Sequence, residues 1–145
     1  MKRNFLLILL AVAVVATAYG RPKKKKSQVP LVSTYWVLVA IEGESIDNLS
    51  RNATPTITFD SAKYSGNFGC NQFFGQYFAK EKTISIDFAA STRKMCSNME
   101  LETAYSKALR KDLKYYTIDG YELYLKDNKK KTILKFVCGT KESKE

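Results

Sequence analysis

The segment Tyr115–Leu125 (YYTIDGYELYL) decides the fold class. Two runs rich in aromatic and β-branched residues, Tyr115–Ile118 and Tyr121–Leu125, flank the dipeptide Asp119-Gly120, which strongly favours a two-residue turn. Strands joined by so short a turn run antiparallel. The segment therefore predicts a β-hairpin in an antiparallel sheet.

Similar runs lie on both sides of this hairpin. Downstream, residues 132–137 predict a last strand. Upstream, further strands are predicted at residues 33–41, 55–59, 63–65, 76–79 and 83–88. In the last of these, Ile84, Ile86 and Phe88 alternate with polar residues, which is typical of a half-buried antiparallel strand.

The hydrophobic period changes after residue 97. Ser97–Glu100 matches a capping box, which predicts the start of a helix. Apolar residues then recur at three- and four-residue spacing and predict an amphipathic helix to about Leu113. Seven or eight strands and one helix predict an α+β, mostly β domain, either a curled antiparallel sheet or a partly open barrel, packed on the helix.

The composition limits the chemistry. The chain has 145 residues, of which 45% are hydrophobic and 26% charged, as expected for one globular domain. It contains no histidine, which excludes histidine-dependent nucleophiles, imidazole general bases and histidine-ligated zinc. Three cysteines are too few for a tetrahedral site made of thiolates alone. We therefore expect no cofactor, no metal and no enzymatic activity.

Residues 1–20 have the pattern of a secretory signal peptide. Lys2 and Arg3 precede the apolar run 5–16, and small residues then allow cleavage after Ala18 or Gly20. Residues 5–19 would span only about 22 Å as a helix, against about 30 Å of membrane hydrocarbon. The alternative is an uncleaved anchor, favoured by five positive charges that follow the apolar run. We predict a secreted or periplasmic protein.

The positive charge is concentrated before the domain. The net charge is +10, but residues 1–26 contain seven of the 24 basic residues and no acidic ones. Residues 21–32 are predicted to form a basic linker, 33–138 the domain and 139–145 a frayed tail. The basic arm Lys23, Lys24, Lys25 and Lys26 indicates an alternative function, binding of polyanions or membrane surfaces. No aromatic-basic pattern predicts specific nucleic-acid recognition, and we expect a monomer.

The segment Gly66–Tyr77 (GNFGCNQFFGQY) is the densest in distinctive residues. Its three glycines, Gly66, Gly69 and Gly75, allow positive φ or close backbone approach. Its aromatic residues either fill the core or line a groove for a hydrophobic peptide or lipid. The groove candidates are Phe73, Phe74 and Tyr77 of this segment and Phe78, which directly follows it.

An ordered set of motifs resembles the META domain, the family of HslJ-like bacterial heat-shock proteins. The set comprises Trp36-Val-Leu, Ile41-Glu-Gly43, Pro55, Phe59, Ser65-Gly66, Gly69-Cys-Asn71, Gly75, Tyr77, Thr92-Arg-Lys-Met-Cys96, Glu102 and Leu123-Tyr-Leu125. The resemblance spans about residues 33–137. It implies a β-rich, barrel-like fold and a secreted or envelope protein that is not an enzyme. It also implies a role in stress or antibiotic tolerance, motility or virulence, through contact with a protein or hydrophobic ligand.

The cysteines have a structural interpretation. Cys70, Cys96 and Cys138 allow three pairings, which the spacing alone does not distinguish. The resemblance favours Cys70–Cys96, because these two carry the motifs whereas Cys138 lies beyond them. In this interpretation Cys70 is not a catalytic nucleophile, since no histidine is present to activate it.

Overall fold

The computed structural model describes residues 27–49, 54–96 and 99–140. Within them the chain forms nine strands and one helix. The elements in chain order are β1 (Tyr35–Ile41), β2 (Glu44–Ser45), β3 (Thr56–Phe59), β4 (Lys63–Asn67), β5 (Gln72–Lys80), β6 (Thr83–Ser91), α1 (Glu100–Leu109), β7 (Leu113–Asp119), β8 (Glu122–Asp127) and β9 (Thr132–Cys138).

The strands close into an antiparallel barrel. Strand β1 pairs with β3 on one side and with β9 on the other, and the chain from β3 to β9 completes a ring of eight strands. The two-residue strand β2 extends the sheet beside β1. The mostly β class with one helix is confirmed, and of the two architectures left open the barrel is the one formed.

The barrel is weakest between β6 and β7. Within the described strands β6 and β7, Thr83 and Tyr115 are the only residues paired in register. Beside them the Tyr116 N–H donates to the Lys82 carbonyl at 2.9 Å. Every other neighbouring pair in the ring shares three or more register positions. Strand β6 therefore runs on beyond its pairing with β7, and the chain between them forms α1.

Aromatic side chains fill the barrel interior. Helix α1 buries one stripe of its surface and packs against β1 and β9. Its Tyr105 lies edge-on to Phe68 and Phe73, with ring centroids 5.1 and 5.6 Å apart. Trp36 is fully buried and donates its indole N–H to the Leu31 carbonyl at 3.1 Å. Burial of large apolar rings supplies most of the stability of such a core.

The predicted hairpin is confirmed, with its turn one residue later than expected. Asp119 pairs with Glu122, so the two loop residues are Gly120 and Tyr121. Gly120 has φ +62°, a conformation that costs glycine little and other residues more. A glycine at the first loop position is typical of a type II′ turn, whose twist matches that of the strands.

Several element boundaries differ from the prediction, most clearly those of the helix and of β5. The helix begins at Glu100 with Met99 at the N-cap and no side-chain cap, and Ser97 lies outside the described residues, so the capping box did not locate the start. The helix ends at Leu109, because β7 begins at Leu113 and bonds to β8. The strand predicted at 76–79 begins at Gln72, since the aromatic residues before Gly75 alternate sides as well.

The folded unit begins upstream of residue 33. Leu31 is buried in the core, and the Val29 N–H donates to the Gly120 carbonyl at 3.2 Å. The predicted signal peptide and the basic arm fall within residues 1–26, outside the described residues. Among the residues that are described, no helix has the length and apolar character needed to cross a membrane.

Candidate functional site

The glycine-cysteine segment forms the corner between β4 and β5. The Asn67 side-chain oxygen accepts the Gly69 N–H at 2.6 Å, and the Phe68 N–H donates to the Asn71 carbonyl at 2.8 Å. Gly69 has φ +115°, which a side chain would strain. These bonds close a tight turn that delivers Asn71 to the barrel wall.

The side chain of Asn71 forms its hydrogen bonds within the protein, and the residue is only 1% exposed. Its oxygen accepts the Thr92 hydroxyl and the Lys94 N–H, both at 2.7 Å. Its amide nitrogen donates to Glu102 at 2.8 Å and to the Lys94 carbonyl at 3.0 Å. Its backbone N–H donates to the other Glu102 oxygen at 2.9 Å. Buried polar groups need hydrogen-bond partners, and both the oxygen and the nitrogen of the Asn71 side chain have them.

This network joins three parts of the chain: the start of β5, the segment 92–96 and helix α1. Thr92 takes part twice more, because its hydroxyl oxygen accepts the Gln72 N–H at 3.1 Å and its own N–H donates to the Gln72 carbonyl at 2.9 Å. A disulfide joins Cys70 to Cys96, whose Cα atoms lie 6.4 Å apart. The motif residues Cys70, Asn71, Thr92 and Cys96 therefore meet at one place.

Gly66 and Gly75 lie farther along the same hairpin, at positions where neighbouring atoms leave no space for a side chain. A Cβ on Gly75 would lie 2.6 Å from the Tyr64 hydroxyl and would also overlap the Asp87 carbonyl. A Cβ on Gly66 would lie 2.5 Å from the Phe73 ring and would overlap the Thr56 carbonyl. Both glycines thus let neighbouring strands and rings approach, rather than shape a ligand site.

Glu102 is the residue of this cluster that the predicted site did not include. It lies on α1 one residue beyond the buried Leu101 and accepts both donors that Asn71 directs at the helix. In the sequence, Glu102 was indicated only by its place among the motifs of the family resemblance. Helical periodicity alone predicts that an acidic residue next to the apolar stripe is solvated.

Strand β5 divides the four proposed groove residues between its two faces. Phe73 and Tyr77 are buried in the core, whereas Phe74 and Phe78 are 57% and 69% exposed on the opposite face. No single groove contains all four. Phe74 and Phe78, separated by four residues of strand, lie roughly 13 Å apart along one surface. We call these two the β5 aromatic face.

Shallow depressions lie beside Phe74. One, of about 550 Å³, is lined by residues of β3, β4 and β5 together with Ser33, and another, of about 370 Å³, by residues of β1, β3, β4 and β5. Strand pairing sets Tyr35, Thr58, Ser65 and Phe74 side by side across four strands. Small hydroxyl residues thus lie between two aromatic rings on the outer wall.

Two of the buried tyrosines in the core, Tyr64 and Tyr105, have phenol groups that are held in the neutral form. Burial, with a smaller contribution from the Asp87 charge, raises the pKa of Tyr64 to about 12. Complete burial raises the pKa of Tyr105 well above its usual value. Phenols in this state are neutral at physiological pH and are poor nucleophiles. Among the described residues no group of three or more acidic, cysteine or histidine residues could hold a metal.

The thiol groups are also accounted for. Cys70 and Cys96 are disulfide-bonded, and Cys138 is half-buried at the end of β9. The disulfide leaves Cys70 without a thiol, so in this form Cys70 cannot serve as a nucleophile.

Comparison with solved structures shows the same architecture elsewhere. A protein from Burkholderia xenovorans is 23% identical, with a TM-score of 0.56 over 84% of this chain and 99% of that chain. A DUF4847 family protein from Bacteroides vulgatus is 18% identical, with a TM-score of 0.56 over 77% and 96% of the two chains. A third protein, solved by NMR, is 25% identical, with a TM-score of 0.55 over 72% and 88%. These likenesses establish the fold.

Comparison with family models identifies the relationship that the motifs predicted. No curated protein sequence matches the chain significantly. The model described as the META domain matches residues 29–138, which include every described strand and the helix. The match begins close to the residue at which packing begins in the structure, near Val29 and Leu31. The chain belongs to the META domain family.

Proposed function

We propose that this is an exported, non-enzymatic META-domain protein that contributes to stress or antibiotic tolerance, motility or virulence by contacting a protein or a hydrophobic ligand. The observation that carries the proposal is the β5 aromatic face, where Phe74 and Phe78 present two large apolar rings to solvent. Aromatic side chains are enriched at the centres of protein contact surfaces.

Contact rather than catalysis is favoured by how the motif residues are used. The side chain of Asn71 is consumed by internal hydrogen bonds, and Cys70 by a disulfide. The barrel interior is filled by rings, so a hydrophobic partner would bind the outer wall and not the interior. META is not among the known enzyme families, which agrees with this interpretation.

Export is supported by two independent features. Residues 1–20 have the pattern of a signal peptide. The disulfide between Cys70 and Cys96 is typical of oxidising compartments outside the cytoplasm. Intact-mass measurement of protein recovered from the envelope or medium tests this directly. The proposal predicts a chain that begins after Ala18 or Gly20, and a chain that retains residues 1–20 would contradict cleavage.

The contact surface is tested by complementation. In the source organism, the gene is deleted and survival under heat or antibiotic stress, motility and, for a pathogen, infection are measured. F74S/F78S should fail to restore the affected trait while keeping wild-type thermal stability, because both side chains are mostly exposed. Y121S is the control, since Tyr121 is a similarly exposed aromatic residue at the β7–β8 turn. It should complement fully.

A second candidate function is binding of polyanions or membrane surfaces by the basic arm. Four consecutive lysines, Lys23–Lys26, lie in a segment without acidic residues. Replacing all four by glutamine should abolish retention on heparin and binding to anionic vesicles at low salt, because such binding is electrostatic. Unchanged binding would exclude the arm.

A further inference from the structure

A shallow cleft lies between helix α1 and the segment that follows β6. It has a volume of about 570 Å³. Its lining comprises Asn71, Ser91, Thr92, Arg93, Lys94, Met95, Met99, Glu102, Thr103, Ser106, Lys107 and Arg110. We call it the α1 cleft. Residues of the Asn71 network form part of its lining, and it does not include Phe74 or Phe78.

The charges in the α1 cleft are strongly unbalanced. Arg93 and Lys94 contribute from the loop side, and Lys107 and Arg110 from the helix side. Within the described part of the chain, none of the four forms an ion pair. The lining contains one carboxylate, that of Glu102, and both of its oxygens accept hydrogen bonds from Asn71.

Residues 27–140 as a whole have the same net charge as the lining of the α1 cleft. Residues 27–140 contain 15 basic and 12 acidic residues, a net charge of +3. The cleft has four cations and one carboxylate, which is also a net +3. The remaining charges of residues 27–140 therefore cancel. A recess that concentrates one sign of charge attracts counter-ions more strongly than the same charges scattered over a surface.

Two of the four cations are restrained, Lys94 through its backbone and Arg110 through its side chain. The Lys94 backbone bonds twice to the Asn71 side chain, at 2.7 and 3.0 Å, and the disulfide at Cys96 restrains the end of the same segment. On the other wall the Arg110 guanidinium lies 4.0 Å from the centre of the Phe88 ring. A pre-arranged site loses less conformational entropy when a ligand binds.

The helix side also offers hydroxyl groups beside the cations. Thr103, Ser106, Lys107 and Arg110 recur at spacings of three, one and three residues, which places them on one face of α1. Hydroxyls and guanidinium or ammonium groups together are the donors that phosphate oxygens accept. The combination matches an oxyanion with several oxygens better than a single carboxylate.

We propose that the α1 cleft binds a phosphate-bearing ligand. The ligand is either a small soluble polyphosphate or the headgroup of an anionic phospholipid, since both present the same oxygens. Met95, which is 96% exposed on the cleft rim beside Lys94, would contribute to binding only when the phosphate belongs to a lipid surface. The proposal does not depend on the β5 aromatic face or on export.

The first experiment measures pyrophosphate binding to the full chain by amide chemical shifts. Shift changes should be concentrated in residues 91–95 and 103–110. R93Q/K94Q/K107Q should weaken the affinity at least tenfold, and Arg110 is left in place because it packs on Phe88. K80Q/K82Q/K129Q is the matched control, because it removes the same charge from exposed lysines outside the cleft lining and should change the affinity less than twofold.

The second experiment separates the two ligand sources. Vesicles of phosphatidylcholine containing 30% phosphatidylglycerol are compared with phosphatidylcholine alone. If the source is a lipid, the cleft variant loses vesicle binding and M95S weakens it without changing pyrophosphate affinity. If the source is soluble, only pyrophosphate binding depends on the cleft. Either result supports the site.

Three outcomes would overturn the proposal. Equal losses in the cleft variant and its control would indicate a general charge effect. Shift changes scattered outside the cleft would indicate no site. Loss of binding only when Lys23–Lys26 are replaced by glutamine would assign the anion to the basic arm. If the triple variant fails to fold, K107Q alone, on the exposed side of α1, is used with K80Q as its control.

Discussion

At the scale of single residues, Asn71 shows how a distinctive motif serves structure. Its side-chain amide pairs at once with donors and acceptors of the segment 92–94 and with Glu102 on helix α1. An aspartate could not donate to Glu102, and an alanine would leave the Thr92 hydroxyl and the Glu102 carboxylate without these partners. Asparagine is therefore the residue whose two donors and one acceptor fit this position.

N71A should lower the free energy of unfolding by about 3 kcal/mol, because several partly buried polar groups lose their partner at once. Urea unfolding monitored by Trp36 fluorescence measures the change. T103A, on the exposed side of α1, should change the free energy by less than about 0.5 kcal/mol. A similarly small effect for N71A would show that the network does not stabilise the fold.

G75A tests the close approach of β5 and its neighbours. The added methyl would lie against the Tyr64 hydroxyl and the Asp87 backbone, and backbone atoms cannot turn aside. We expect a loss of about 3 kcal/mol or failure to fold. G120A has open space around the new Cβ and only the cost of φ +62°, about 1–2 kcal/mol. Thermal unfolding of both variants should rank them in this order, and the reverse order would contradict the packing argument.

At the scale of elements, the disulfide links the β4–β5 corner to the chain entering α1. Its two cysteines are 26 residues apart, and closing a loop of that length stabilises the fold by about 3 kcal/mol in the chain-entropy model. C70S/C96S should lose about this much in urea unfolding without reductant. C138S is the control and should remain close to wild type. Equal stability of C70S/C96S and wild type would show that the link contributes nothing.

The sequence predicted elements where local signals were strong. Alternation at Ile84, Ile86 and Phe88 located β6, and the two apolar runs around Asp119-Gly120 located the last hairpin. The one-residue slip of that turn was not predictable from the dipeptide, because pairing of Asp119 with Glu122 depends on the register of the whole hairpin. Strand β2 has only two exposed residues and no hydrophobic pattern.

The division of the β5 aromatics was present in the sequence as a period of two. Phe73 and Tyr77 share one parity and Phe74 and Phe78 the other, so a strand through all four must direct them to opposite faces. Starting the predicted strand at residue 76 hid this alternation. The α1 cleft was not predictable, since Arg93 and Lys94 meet Lys107 and Arg110 only after the chain folds between them.

At the scale of the whole molecule, the closed barrel and its helix bury tyrosines whose ionisation opposes folding. Because the pKa of Tyr64 is raised to about 12 and that of Tyr105 well above normal, both stay protonated in the folded state after they ionise in the unfolded chain. The stability that these two tyrosines contribute is complete below pH 10. It is lost as the pH rises through their folded-state pKa values.

The free energy of unfolding should therefore fall above pH 10, by at most about 1.4 kcal/mol per pH unit for each tyrosine. Y64F should reduce this slope between pH 10 and 12. Y121F changes an exposed ring at a turn and should keep the wild-type slope. Guanidinium unfolding at pH 9, 10 and 11 compares the three proteins. A Y64F profile identical to wild type would contradict the burial of this hydroxyl.

We propose that the motif residues build the barrel while the β5 aromatic face makes the contact with a partner. The most direct measurement is the paired determination of thermal midpoint and complementation for F74S/F78S. The midpoint of F74S/F78S should equal that of wild type while the biological trait is lost, and Y121S should be normal in both. Full complementation by a stably folded F74S/F78S protein would contradict it.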